Sequence, residues 1–167
     1  MKTAQAAETL LTGIWLGLSQ VCLGFSIMAS AGASALWFFL TLLIWLCGSA
    51  AGVVLLKPGT GRYLIFVALL SAIAARQALM SLPFDNGALI IGLSAAFILG
   101  AYAGLFFRER SMEWNQVRLL LFYENNGFLL GFVAGSALIF VSGVALTSAV
   151  FLSGSVLVIW RLLPRGS

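Results

Sequence analysis

The sequence predicts an all-α membrane protein, a polytopic bundle of six transmembrane helices. Hydrophobic residues make up 62% of the 167 residues and charged residues only 8%, whereas soluble domains carry about 25% charged residues. The apolar runs are continuous, unlike the alternating strands of a membrane β-barrel. Helices, which satisfy their backbone hydrogen bonds internally, are the other structure that can cross lipid.

Charges and turn residues divide the chain into apolar runs of about 20 residues, the length that crosses a hydrocarbon core of ~30 Å. The firmest boundary is Lys-Pro-Gly-Thr-Gly-Arg at residues 57–62, because proline and glycine end helices. The predicted spans are residues 10–29, 35–56, 63–80, 88–107, 119–140 and 144–163. Residues 108–118 interleave polar and apolar side chains, which predicts a short interfacial helix. Residues 164–167 end a Leu-Leu-Pro-Arg-Gly-Ser run typical of a cloned protease site, and we leave them out of the fold prediction.

The basic residues predict the orientation of these spans. If the amino terminus is cytoplasmic, eight of the nine Lys and Arg residues lie on the cytoplasmic side: Lys2, Lys57, Arg62, Arg108, Arg110, Arg118, Arg161 and Arg165. Only Arg76 does not. Because Lys and Arg collect in short cytoplasmic loops, the sequence predicts a multi-pass protein of a bacterial-type inner membrane with both termini in the cytoplasm.

Glycines four residues apart recur in four of the predicted spans. They are Gly13 and Gly17, Gly48 and Gly52, Gly100 and Gly104, and the tandem series Gly127, Gly131 and Gly135. Such spacing lines one face of a helix with small residues and lets another backbone approach closely. Two interpretations fit: packing between helices of one chain, or an interface with a second copy or a partner.

Glu124 is the most unusual residue of the predicted spans, because a carboxylate inside the membrane is costly unless it is protonated or paired. It lies three residues before Gly127 and therefore on the same helix face, and Asn125 and Asn126 follow it. One interpretation is an interfacial cap with Arg118 or Arg110 as counter-ion. The other is a polar site that faces a cavity or a proton path.

Two further polar residues lie inside predicted spans. Arg76 lies about two turns before Pro83, so its side chain either extends outward to the membrane surface, with Asp85 as a partner, or is a functional buried charge. Gln20 is a single amide in an apolar run, which is more typical of a hydrogen bond between helices than of a ligand contact.

Several functions are disfavoured by what the sequence lacks. There is no histidine, which excludes haem ligation by imidazole and a histidine proton relay. We find no catalytic set, no metal-spaced cluster and no phosphate loop, so we expect no enzyme activity, no cofactor and no metal. In a membrane protein the net charge of +4 indicates topology rather than nucleic-acid binding. The expected partners are the lipid bilayer and either further copies of this chain or the other subunits of a membrane complex.

Three stretches resemble the membrane domain of spermidine-synthase-like membrane proteins, which is similar to half of a major facilitator fold. The clearest is 118–139, where an arginine precedes Tyr123, Asn126 and glycines at 131 and 135, with Gly127 one place early. The others are 48–62 and 100–110, glycine-containing helix ends that lead into basic residues. The resemblance implies two inverted three-helix repeats. The acidic residue expected between spans two and three is missing, and the family's soluble transferase domain has no counterpart here.

Two functions remain open at this point. The first is a half-size transporter-like module that acts as an oligomer on a small solute, with Glu124, Asn125, Asn126 and Arg76 as its polar wall. The second is a non-catalytic scaffold or accessory subunit of a larger membrane complex, such as a respiratory or electron-transfer assembly. The scarcity of titratable residues in the spans favours the second, because coupled transport usually needs acids inside the membrane.

Overall fold

The chain forms a bundle of five long helices in the computed structural model, which describes residues 3–32, 34–114, 116–143, 149–150, 153–154 and 156. The helices are α1 (Thr3–Ser30), α2 (Ala35–Val54), α3 (Gly61–Ser81), α4 (Asn86–Glu113) and α5 (Val117–Ser142). All five are long and apolar enough to cross a membrane. The protein is therefore a multi-pass, all-α membrane protein, and the described residues contain no strand.

The sixth predicted span is not confirmed, because residues 144–163 lie almost entirely outside the described residues. The few described positions in this stretch are helical, and Gly154 packs directly against the indole of Trp15 in α1. The other five predicted spans each fall on one helix. Two helices are clearly longer than predicted. α1 begins at Thr3 rather than at residue 10, and α4 ends at Glu113 rather than at residue 107.

The expected interfacial helix at 108–118 is not a separate element. α4 continues through it as far as Glu113, and the chain leaves helical conformation only near Trp114 before α5 begins at Val117. The physical reason is that the charged side chains of this stretch find partners within the protein. Arg108, Glu109 and Arg110 all bond to other parts of the chain, so α4 does not need to turn into the headgroup layer.

α1 and α4 form the centre of the bundle. In their most apolar stretches 67% and 61% of residues are buried, against 33% or less in α2, α3 and α5. α5 packs chiefly on α1, whereas α2 and α3 both pack on α4. The main core therefore follows the two central helices, with Trp15, Ile27, Leu99 and Phe106 among its buried side chains.

Short turns join the helices at both ends. Ser34 caps α2 by accepting from the Leu36 N–H, and Asp85 caps α4 by accepting from the Ala88 N–H at 2.8 Å. Such side chains satisfy N–H groups that the first turn of a helix leaves without partners. Phe84, just before Asp85, has a φ of +65° and donates its N–H to the Ser30 carbonyl, which ties the α3–α4 turn to the end of α1.

Two seams hold the bundle together, and both join parallel helices through glycines. Gly48 and Gly52 of α2 face the backbone of α4, while Gly100 and Gly104 of α4 face α2. Glycines 13 and 17 of α1 face α5 in the same way, and glycines 127, 131 and 135 of α5 face α1. All these glycines thus contact helices of the same chain. A β-carbon at most of them would overlap a carbonyl oxygen of the partner helix, so the close approach requires glycine.

Candidate functional site

Charged residues gather at one end of the bundle, which we call the basic end. It comprises the start of α1, the turn from α2 to α3 and the turn from α4 to α5. Five basic residues lie there within the described part of the chain: Lys57, Arg62, Arg108, Arg110 and Arg118. The opposite end carries Asp85, with Arg76 farther into α3. The charge asymmetry predicted from the sequence is therefore present in three dimensions.

A buried ion pair links the two central helices at the basic end. Arg110 of α4 is only 2% exposed and pairs with Glu8 of α1, whose side chain is 5% exposed. Glu113, one turn later and half exposed, pairs with the same guanidinium, which also lies 5.8 Å from the ring of Phe106. Removing one member of such a buried pair leaves an uncompensated charge, so each member depends on the other.

Arg108 and Glu109 together fasten the α2–α3 turn to α4. Arg108 donates from Nη1 to the carbonyls of Val53 and Leu56, at 2.9 and 2.8 Å, at the end of α2. Glu109 accepts from the N–H groups of Gly59 and Gly61, at 2.7 and 3.0 Å, at the start of α3. The cation Arg108 thus binds the carbonyl end of α2, and the anion Glu109 binds the amide end of α3. Both arrangements are favourable, because a helix dipole is negative at its carbonyl end and positive at its amide end.

A small apolar cluster closes the basic end beside the ion pair. Ala6, Trp114 and Leu120 are buried together, with Phe107 and Tyr123 packed against them. The rings of Trp114 and Tyr123 lie 5.9 Å apart. This cluster holds the α4–α5 turn against the first turn of α1 and fixes where α5 enters the bundle.

The predicted polar residues of α5 lie at the edge of its seam and outside it. The backbone carbonyl of Glu124 lies against Gly13, and the side chain of Glu124 is half-buried. Asn125 and Asn126 are exposed, and Asn126 donates from Nδ2 to the Phe122 carbonyl one turn back. Asn126 is only about 5 Å from the midpoint of α5, at 1.5 Å per residue.

One of the two counter-ions expected for Glu124 is engaged elsewhere. Arg110 is held by Glu8 and Glu113, and Arg118 is exposed at the start of α5. Neither arginine forms an ion pair with Glu124 in the described structure. The interpretation of Glu124 as an interfacial cap paired with one of these arginines therefore stays a prediction.

The other predicted polar residues are dispersed. Arg76 is half-buried in α3, and the carboxylate of its expected partner Asp85 caps the start of α4. Gln20 is 4% exposed in α1, and its Oε1 accepts no hydrogen bond in the described part of the chain. Arg76, Gln20 and Glu124 thus lie on three different helices, α3, α1 and α5.

The sequence did not reveal Glu8, because it precedes the predicted first span and was assigned to the flanking segment. A usable signal exists: Glu8, Thr12, Trp15 and Ser19 recur at helical spacing and all are buried. This face runs on into the apolar span, so α1 begins at Thr3 and brings the carboxylate of Glu8 to the guanidinium of Arg110.

No protein-family model matches the chain, and comparison with curated proteins and with solved structures gave no significant match. The resemblance to spermidine-synthase-like membrane domains therefore stays a prediction. The α2–α3 turn has no acidic residue of its own, and Glu109 of α4 supplies a carboxylate to that turn.

Proposed function

We propose that this protein is a half-size, transporter-like module of a bacterial-type inner membrane, which acts as an oligomer on a small solute. One observation carries the proposal: Asn125 and Asn126 are exposed, and Glu124 is half-buried, in an otherwise apolar helix. Polar side chains at that depth are costly when they face lipid. A second copy packed on this face of α5 would cover them and place them along a shared polar path.

The tight glycine seams between α1 and α5 and between α2 and α4 support a solute path on the exposed face of α5. Glycines bring α1 against α5 and α2 against α4 at backbone distance, which leaves no room for a solute within either seam. A pathway would therefore lie outside the seams. The exposed face of α5 carries the polar side chains that such a pathway needs.

The oligomer is tested by cross-linking in membranes. In a background with Cys22→Ala and Cys47→Ala, Asn126→Cys should give a disulfide-linked dimer on mild oxidation. Ile73→Cys, on the exposed side of α3, is the matched control and should remain monomeric. A monomer for both variants, together with a monomeric mass in native mass spectrometry, would contradict the proposal.

Transport is tested after a screen for a solute that stabilises the purified protein. Amino acids, sugars and organic cations would be compared by thermal denaturation, and uptake of the stabilising compound would be measured in proteoliposomes. Glu124→Gln should abolish uptake and leave expression unchanged, because it removes the carboxylate of the path. Leu129→Gln, at another exposed position of α5, is the control and should retain uptake. Normal uptake by Glu124→Gln would refute the role of this carboxylate.

The orientation belongs to the same proposal. The gathering of Lys57, Arg62, Arg108, Arg110 and Arg118 at one end supports a cytoplasmic basic end. In the cysteine-free background, Thr60→Cys should react with a membrane-impermeant maleimide only after the cells are opened, whereas Asn86→Cys should react in intact spheroplasts. The reverse pattern would invert the topology.

The alternative is an accessory subunit of a larger membrane complex. The described spans hold few charged residues, which favours a structural role over coupled transport. In that case a different protein covers the polar face of α5. Native mass spectrometry of the complex from mildly solubilised membranes separates the two: a multiple of 17.7 kDa indicates the oligomer, and a fixed ratio with another chain indicates the subunit.

A further inference from the structure

A groove opens on the outside of the bundle where α2 ends and α3 begins. Its volume is about 420 Å³, and it is lined by Leu55, Leu56, Lys57, Thr60, Tyr63, Leu64 and Val67. That volume lies within the range of ~300–1,000 Å³ typical of small-molecule sites. The lining is mostly apolar and becomes polar at Lys57 and Thr60, which lie at the basic end.

Two cations stand at the polar rim of this groove. Lys57 lines it directly, and the Arg62 guanidinium lies 4.9 Å from the ring centroid of Tyr63, which also lines it. Neither side chain forms an ion pair with a described residue. The stacking on Tyr63 places the exposed Arg62 side chain beside the groove.

The neighbouring charges do not cancel these two cations. The Glu109 carboxylate is turned toward the N–H groups of Gly59 and Gly61, and Arg108 is bound to the carbonyls of Val53 and Leu56. Glu109 and Arg108 thus offset one another, so that Lys57 and Arg62 leave the rim positive. An anion is the complementary ligand for this rim.

The groove also joins a polar turn to an apolar helix face, the change of polarity that a lipid has between its headgroup and its acyl chains. It begins at the turn between α2 and α3 and continues along the exposed side of α3 as far as Val67. Basic pockets between membrane helices bind the headgroups of anionic lipids. We propose that this groove is a binding site for one anionic phospholipid, with its phosphate at Lys57 and Arg62 and an acyl chain along Leu64 and Val67.

Lipid retention in native mass spectrometry tests the site. The detergent-solubilised protein would be titrated with phosphatidylglycerol and, separately, with phosphatidylcholine of the same acyl chains. We expect clear preference for phosphatidylglycerol. The double variant Lys57→Gln/Arg62→Gln should bind it about 25-fold more weakly, because each cation near the surface contributes about fivefold. Arg118→Gln removes one cation from the same end and should change the affinity less than twofold.

A second variant tests the groove itself and not only its charge. Val67→Trp leaves both cations in place and fills the apolar part, and its exposed position should tolerate the larger side chain. Retention of phosphatidylglycerol should fall at least fivefold, with an unchanged melting temperature. Equal retention of both lipids, unchanged binding by the double variant, unchanged binding by Val67→Trp, or displacement by inorganic phosphate at equal concentration would each overturn the proposal.

Discussion

The two glycine seams use the same contact but hold their helices differently. In the α2–α4 seam each glycine meets backbone, Ser49 adds a hydrogen bond to the Gly100 carbonyl, and the basic end is fastened by Arg108 and Glu109. In the α1–α5 seam the contact changes along its length, because Gly135 meets the side chains of Leu18 and Val21 rather than backbone. The difference indicates that backbone contact runs through the whole α2–α4 seam, whereas the α1–α5 seam changes to side-chain packing at Gly135.

Breaking the Arg110–Glu8 ion pair, which connects the two seams, should have the largest effect on the free energy of unfolding. Arg110→Met leaves Glu8 buried without its counter-ion, which should lower the free energy of unfolding by about 3–5 kcal/mol. The double variant Glu8→Met/Arg110→Met should recover most of this loss, because no buried charge remains. Unfolding in mixed micelles, followed by circular dichroism, measures the cycle. Additive effects of the two substitutions would show that the pair does not couple α1 to α4.

The seams themselves can be compared by adding one methyl group to each. A β-carbon at Gly104 would overlap the Ser49 carbonyl, whereas one at Gly135 would lie 3.2 Å from Leu18 Cδ2 and 3.4 Å from Val21 Cγ1. Gly104→Ala should cost about 1–3 kcal/mol. Gly135→Ala should be neutral or stabilising by up to about 1 kcal/mol, since alanine favours helix. The same unfolding assay applies, and equal losses would show that the seams do not differ.

The fastening of the α2–α3 turn should give the smallest and most local effect. Glu109→Ala removes two charge-assisted hydrogen bonds near the surface, worth about 1–2 kcal/mol together after solvent screening. Hydrogen exchange should speed up at Gly59 and Gly61 and stay unchanged along α5. Asp85→Ala, which removes a cap at the opposite end, is the control and should affect only the start of α4. Uniform acceleration across the bundle would contradict a local fastening.

The five described helices could be predicted from the sequence because the features that define them are local. Apolar length and the turn residues at 57–62 and 83–87 locate them without knowledge of neighbours. The site was harder to predict because its charges pair over long distances in the chain. Glu8 meets Arg110 and Glu109 meets Gly59 only after α4 has packed, and no spacing in the sequence encodes these contacts.

The same limit explains the error at 108–118. The interleaved polar and apolar residues have the composition of a surface helix, and composition cannot tell a headgroup-facing charge from one that reaches a neighbouring helix. Arg110 at 2% exposure and Glu113 at about half exposure lie one turn apart in equally polar sequence. Their different burial depends on α1, which the local pattern does not contain.

The partnership of α1 with α5 also has a consequence for synthesis. More than a hundred residues separate Gly13 from Gly127, and at the pace of a ribosome, about 5–20 residues per second, α1 emerges several seconds before its partner. During that interval its small-residue face lacks α5, and Glu8 lacks its partner until Arg110 of α4 is made. α1 is thus made before the other four described helices but is among the last to gain its full set of contacts, and the insertion machinery must shelter its small-residue face while α2, α3 and α4 assemble.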